Sequence, residues 1–186
     1  LMLLALAAEI RLTSQIPIVL FTYLNPALRY GFEALARDTV AAGVDGCLLT
    51  DLSVEEAQRY VETMRSAGLD TVFLAAPTST PARLRLVAEY SSGFVYLVSR
   101  TGVTGERLSL SGALEPLAKA MREITTLPLA AGFGISRPEH MAAVGKLADA
   151  AVVGSAFVRL IEQHSENPAL EGILEAFARE LKNGLA

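Results

Sequence analysis

Short apolar runs alternate with stretches of helical periodicity from one end of the chain to the other. Six runs read as buried strands: residues 17–23, 46–49, 71–75, 94–98, 128–131 and 148–153. Each is a near-continuous block of aliphatic and aromatic positions, as a strand covered on both faces of a parallel sheet requires. Between them the period changes to that of a helix. Asn25-Pro26 breaks the first strand, and Phe32, Leu35, Ala36 and Val40 then form one such stripe, stopped at Gly43. Ser53-Val-Glu-Glu56 has the form of a capping box opening a helix that ends near Gly68. Thr80 and Pro81 read as the cap and first residue of a helix through Tyr90. Further helices are expected over about 112–124, 138–145 and 155–161. The last, over 168–181, has Leu170, Ile173, Leu174, Phe177 and Leu181 as its apolar stripe. The apolar opening, residues 1–8, reads as the end of an amphipathic or buried helix, since it is too short to span a bilayer.

Strands alternating with helices define an α/β chain with a parallel sheet. An open doubly wound sheet fits the length. A (β/α)8 barrel typically takes about 250 residues, roughly 64 more than are present. Strand count alone leaves both arrangements open.

In either arrangement, ligands sit where the strands end at their C-termini. There the chain repeatedly turns small and flexible. The strand at 94–98 runs into Ser-Arg-Thr-Gly-Val-Thr-Gly105, carrying Arg100 and Thr104 between and beside Gly102 and Gly105. The next strand delivers Gly132-Phe133-Gly134, and the last delivers Gly154-Ser155 at the start of a short helix. Freed backbone N–H groups beside a helix N-terminus make an anion site, and three in succession point to a phosphate-bearing ligand. Asp51 stands at a strand end, placed either for acid–base work or for a cross-loop hydrogen bond. Tyr23 and Tyr96 lie at or near strand ends, as ligand hydroxyls or as core. Glu55 and Glu56 read as first-turn helix acids.

Composition narrows the field. The chain has 186 residues, 52% apolar, with a net charge of −4, and is read as a single domain. It carries no basic footprint for nucleic acid and no basic run for an anionic membrane. The single Cys47 lies in an apolar run, so it reads as a buried hydrophobe, and a cytoplasmic setting is expected. His140 and His164 lack metal-ligand spacing to any other ligand type, so no metal is expected. No nucleophile elbow, Walker sequence or complete dinucleotide fingerprint occurs.

At these positions the chain resembles the tryptophan synthase α-subunit family over essentially its whole length. The matching stretches are Pro17-Ile-Val-Leu-Phe-Thr-Tyr-Leu-Asn-Pro26, Gly43-Val-Asp-Gly46, Ala76-Pro-Thr-Ser-Thr80, Tyr96-Leu-Val-Ser-Arg-Thr-Gly-Val-Thr-Gly105, Gly132-Phe-Gly-Ile-Ser136 and Val153-Gly-Ser-Ala156. The resemblance implies a (β/α)8 TIM barrel, of which strands three to eight lie in this chain and two strands precede it. It implies a lyase that splits indole-3-glycerol phosphate into indole and glyceraldehyde 3-phosphate. No cofactor is expected in this subunit. Indole would pass to a β subunit carrying pyridoxal phosphate, in an α2β2 assembly.

By the same resemblance the substrate phosphate falls on Gly105, Gly134, Gly154 and Ser155. Tyr96 falls beside the reacting centre, Thr104 on a loop that closes over substrate, and Tyr23, Phe133 and Asp51 on the pocket lining. Thr50 departs from the family, which usually has Pro or Ala before that aspartate. The family's catalytic glutamate and aspartate fall ahead of Leu1, so the chain alone is expected to hold a phosphate with little or no chemistry. Two other readings share these features: a non-catalytic partner of a β subunit, and another phosphate-binding barrel isomerase or epimerase.

Overall fold

The computed structural model describes residues 2–98, 110–132 and 134–185, with backbone alone at 110 and 111. All six apolar runs form strands, with one division. The chain order is α1 (Met2–Arg11), β1 (Val19–Thr22), α2 (Leu24–Tyr30), α3 (Phe32–Ala41), β2 (Gly46–Leu49), a 3-10 turn (Val54–Glu56) and α4 (Gln58–Ser66). Next come β3 (Asp70–Val72), β4 (Leu74–Ala75), α5 (Pro81–Tyr90), β5 (Val95–Val98), α6 (Leu110–Arg122) and β6 (Leu129–Gly132). The last elements are α7 (Pro138–Gly145), β7 (Ala150–Val152), α8 (Ser155–Gln163) and α9 (Leu170–Asn183).

Two compact units divide the chain. The first, residues 1–74 and 80–95, contains the sheet β1-β2-β3. Its strands are parallel, with Val19 opposite Gly46 and Gly46 opposite Asp70. Every residue of β2 is buried, as suits the central strand of this sheet, paired on both edges. Leu35, Ala36, Tyr60, Val61, Met64 and Val87 are also buried in this unit. The Tyr60 hydroxyl stays satisfied by donating to the Cys47 carbonyl at 3.0 Å. The ring itself packs edge-on against Phe32 and Phe73.

The expected strand at 71–75 is divided at Phe73, and the physical cause is local. Ser91 and Ser92, just past α5, take over the hydrogen bonding there. The Thr71 N–H donates to Ser92 Oγ at 3.0 Å, the Ser92 N–H to the Thr71 carbonyl at 2.8 Å, and the Phe73 N–H to Ser91 Oγ at 3.3 Å. Those bonds end the β3 ladder after Val72.

The second unit, residues 75–79 and 96–186, is built on β6 and β7, parallel with Ala130 opposite Ala150. Strand order in the four-stranded sheet is β4-β5-β6-β7. Its core comprises Leu114, Leu117, Met121, Leu129, Met141 and Val144. Phe157 of α8 and Phe177 of α9 meet edge-on with centroids 5.0 Å apart. The α9 C-terminus is anchored at Gly184, where a Cβ would meet Pro138 backbone atoms at 2.8 Å or closer.

Several local expectations change. The first strand ends at Thr22, ahead of Asn25-Pro26, and that pair lies in the first turn of α2, where proline's missing N–H has no helical partner to lose. The capping box does not form. Ser53 makes no cap bond and its hydroxyl donates to Glu55 instead, so a 3-10 turn precedes a later helix start at Gln58. Val40 is exposed and Thr39 takes the buried position on α3. The apolar α1 buries only Ala7; Met2, Leu3, Leu6 and Ile10 are exposed beside a groove of about 200 Å³ lined with Ile18, Leu20 and Val44. The Thr80 cap is as expected, its hydroxyl accepting the Arg83 N–H at 3.3 Å.

One arrangement occurs in both units, at the N-terminal ends of the strands. Asp45, just before β2, accepts the Ile18 N–H at 2.7 Å and the Arg11 guanidinium at 2.8 Å. Asp149, just before β7, accepts the Leu129 N–H at 2.7 Å and the Arg122 guanidinium at 2.5 Å. In each case the arginine ends the helix preceding one strand and the aspartate begins the next strand. Each aspartate's own N–H donates back to the same neighbour's carbonyl at 2.9 Å. One carboxylate therefore ties helix, strand and following strand together at the face opposite the strand C-termini.

Candidate active site

The strand C-termini carry the expected site residues, on each unit separately. In the first unit β1 and β2 end side by side, with Thr22 opposite Leu49. Tyr23 follows as the N-cap of α2, its ring largely in solvent, and has no side-chain cap bond. The cap is supplied from β2 instead. Asp51 Oδ1 accepts the Leu24 N–H at 2.6 Å. Thr50 adds two bonds to the Thr22 carbonyl, from its N–H at 3.0 Å and from its hydroxyl at 3.3 Å. A carboxylate at a helix N-terminus is also favoured by the exposed peptide N–H groups there. Asp51 is thus held in a cross-loop hydrogen bond, one of the two uses its position allowed.

In the second unit Tyr96 rises from β5 and is 7% exposed. Burial pushes its phenol above the ordinary value, so the hydroxyl stays protonated at neutral pH. Its ring lies directly on Gly132, where a Cβ would come within 2.6 Å of Tyr96 Cζ. Only glycine admits the ring there, a requirement unseen in the sequence, where Gly132 stood out only as half of a Gly-x-Gly pair.

Beyond Gly132 the ladder to β7 fixes what comes next. Gly132 pairs with Val152, so Gly134 and Gly154 each lie two residues past the same rung. Gly134 has φ of +77°, a left-handed turn suited to glycine. His140 of α7 stabilises this turn, its Nδ1 accepting the Ser136 N–H at 3.2 Å. Gly154 is exposed, has no atom within 4 Å of a built Cβ, and caps α8. Its carbonyl accepts the Phe157 and Val158 N–H groups at 2.9 and 3.2 Å. Helix geometry leaves the Ser155 and Ala156 N–H groups outside the internal ladder, pointing outward from the helix start. Ser155 is exposed at this end. Arg100, Gly102, Thr104, Gly105 and Phe133 lie outside the described residues.

Among the described residues no cluster of three potential ligands could hold a metal ion, and no helix is long and apolar enough to cross a membrane.

Parallel strands alternating with helices, and glycine turns, a buried tyrosine and a helix start at the strand C-termini, define an α/β scaffold of the TIM-barrel class. The chain belongs to the tryptophan synthase alpha chain family, which it matches over residues 2–186. It is 66% identical to the tryptophan synthase alpha chain of Solibacter usitatus over 181 residues, covering 97% of this chain and 68% of that one. The Geotalea uraniireducens alpha chain is 45% identical over 183 residues, covering 98% and 68%. Among solved structures, the tryptophan synthase a2b2 complex of Pyrococcus furiosus superposes with a TM-score of 0.87 at 36% identity, over 97% of this chain and 72% of that one. An open form of the M. tuberculosis tryptophan synthase gives 0.84 at 35% identity, over 98% and 66%.

Proposed function

We propose that this chain forms the phosphate- and indole-binding side of a site that cleaves indole-3-glycerol phosphate into indole and glyceraldehyde 3-phosphate. As a tryptophan synthase alpha chain it is a lyase of tryptophan biosynthesis, working as the α subunit with a β subunit. The observation that carries the reading is the shared rung Gly132–Val152, which sets Gly134 and the Gly154–Ser155 helix start at equal depth beyond β6 and β7.

The phosphate binds the outward N–H groups at Ser155 and Ala156 and the Gly134 turn, with Gly105 contributing from the preceding loop. A dianion gains there from several backbone donors and from the α8 dipole. Tyr96, neutral because buried, offers a hydroxyl and a flat apolar face beside the reacting carbons. The family resemblance gives Tyr23 and Phe133 to the indole end, and Thr104 to a loop whose closure would exclude water. The reaction breaks the bond between the indole C3 and the glycerol chain. It needs a proton delivered to the indole ring and one removed from the glycerol hydroxyl. Neither transfer is assigned to a described residue of this chain. This subunit uses no cofactor of its own; indole passes to the β subunit, where pyridoxal phosphate acts, in a cytoplasmic α2β2 assembly.

The test is indole release from indole-3-glycerol phosphate by the full-length protein, with and without an added β subunit, beside this chain alone. Release that rises with the β subunit is the expected result. Silence from the full-length protein in both arms overturns the reading.

A further inference from the structure

We infer that Asp51 is a positioning residue, not an acid or base: its carboxylate fixes the β1–α2 junction that presents Tyr23. The inference rests on the proposal that Tyr23 lines the substrate pocket.

The argument starts from the unusual way this junction is held. Tyr23 is the N-cap of α2 but contributes no side-chain cap. Within α2's first turn, Pro26 has no N–H to offer. The Leu24 N–H, adjacent to Tyr23, is satisfied across the sheet by Asp51 Oδ1 at 2.6 Å, a short charge-assisted bond. Both neighbours of Tyr23 are gripped from the same place. Thr22 is held through its carbonyl by the Thr50 N–H and hydroxyl, and Leu24 through its N–H by Asp51. Three hydrogen bonds from Thr50 and Asp51 therefore bracket one residue, whose own ring is exposed and unsupported by burial.

The Oδ1 atom is committed to the Leu24 N–H, and a role as acceptor requires no proton transfer. An amide carbonyl can fill that role. The Asp51→Asn variant keeps an acceptor of the same shape, and Asp51→Ala removes it.

The experiment uses the full-length protein with its β subunit for kinetics, and the α subunit for amide exchange read by NMR. In Asp51→Ala the Leu24 amide is expected to exchange at least about tenfold faster, and KM for indole-3-glycerol phosphate to rise about tenfold with a smaller change in kcat. Asp51→Asn is expected to restore Leu24 protection and to bring KM back to within about threefold of the parent. If Asp51→Asn protects Leu24 yet loses kcat as completely as Asp51→Ala, the carboxylate acts on the substrate and the inference is overturned. It is equally overturned if Asp51→Ala leaves Leu24 exchange and KM unchanged. A parent protein that makes no indole sinks the functional reading; Leu24 exchange in the two variants then decides the junction by itself.

Discussion

Gly132 and Cys47 show how much one side chain, or its lack, decides in this protein. At Gly132 the Tyr96 ring occupies the space of a Cβ, so even a methyl must push the ring or bend β6. Gly132→Ala is expected to cost about 1–3 kcal/mol of stability, the range for overpacking a tight site, and to impair turnover more than stability accounts for. Denaturant melts and indole kinetics on one preparation check both parts. Cys47 sits fully buried on the central strand β2, and burial pushes its thiol up to about 12. The thiolate is the reactive form, so Cys47 is expected to resist a thiol reagent at pH 8 until the protein unfolds. A reagent such as DTNB, with and without denaturant, reads this directly.

At the scale of elements, the two Arg–Asp arrangements beneath the strands are the joints of the helix–strand units. Asp149 is held below the usual carboxylate range, first by the Leu129 N–H and then by Arg122. Replacing it with alanine leaves the Leu129 N–H without its acceptor and is expected to cost about 1–2 kcal/mol by chemical denaturation. Asp149→Asn, which still accepts that N–H, is expected to lose less. The exposed ion pair with Arg122 by itself contributes little, since both side chains remain more than 40% exposed. The Thr80 cap of α5 is a second such joint. Thr80→Ala is expected to cost about 1 kcal/mol, in line with the loss of one cap bond.

For the molecule as a whole, stability has an edge at each end of the pH scale. Among the described residues four carboxylates titrate low: Glu33 beside Arg59, Asp38 beside Arg37, Glu55 beside Ser53 and Asp149 on the Leu129 N–H. The unfolded chain binds protons at these groups more readily. Their contribution is therefore present above about pH 4 and lost as pH falls through their lower folded values. Cys47 works in the opposite direction, and the buried Tyr60, whose phenol is also raised, joins it. The folded state keeps the thiol protonated to about 12, so stability is full below the ordinary thiol range, near 9, and falls between 9 and about 12. Melting curves from pH 3 to 11 are expected to show a plateau with both shoulders. Cys47→Ala, of similar size and without a titrating group, is expected to flatten the alkaline one.

Much of this was legible because it is written locally. Six apolar blocks placed the strands, but burial at every position holds for β2 and β6 only, while β1 and β7 stay partly exposed. Thr80-Pro81 placed a helix start because a cap needs only residues in its own turn. Family stretches such as Gly132-Phe-Gly-Ile-Ser136 located the strand-end glycines. The capping box at Ser53 misled because a hydroxyl has alternatives, and here it donated to Glu55.

The sequence by itself determined the alternation of strand and helix, the family, and the set of residues delivered to the strand C-termini. These depend on side-chain type and order along the chain. Tertiary structure alone decided that Asp51 is committed to the Leu24 N–H, that Gly132 exists for the Tyr96 ring, and that Asp45 and Asp149 each tie a helix to two strands. It also divided one strand at Phe73, through serines some 18 residues further along the chain. Each of these is a contact between residues far apart in sequence, and the backbone must bring the two together before either has a role.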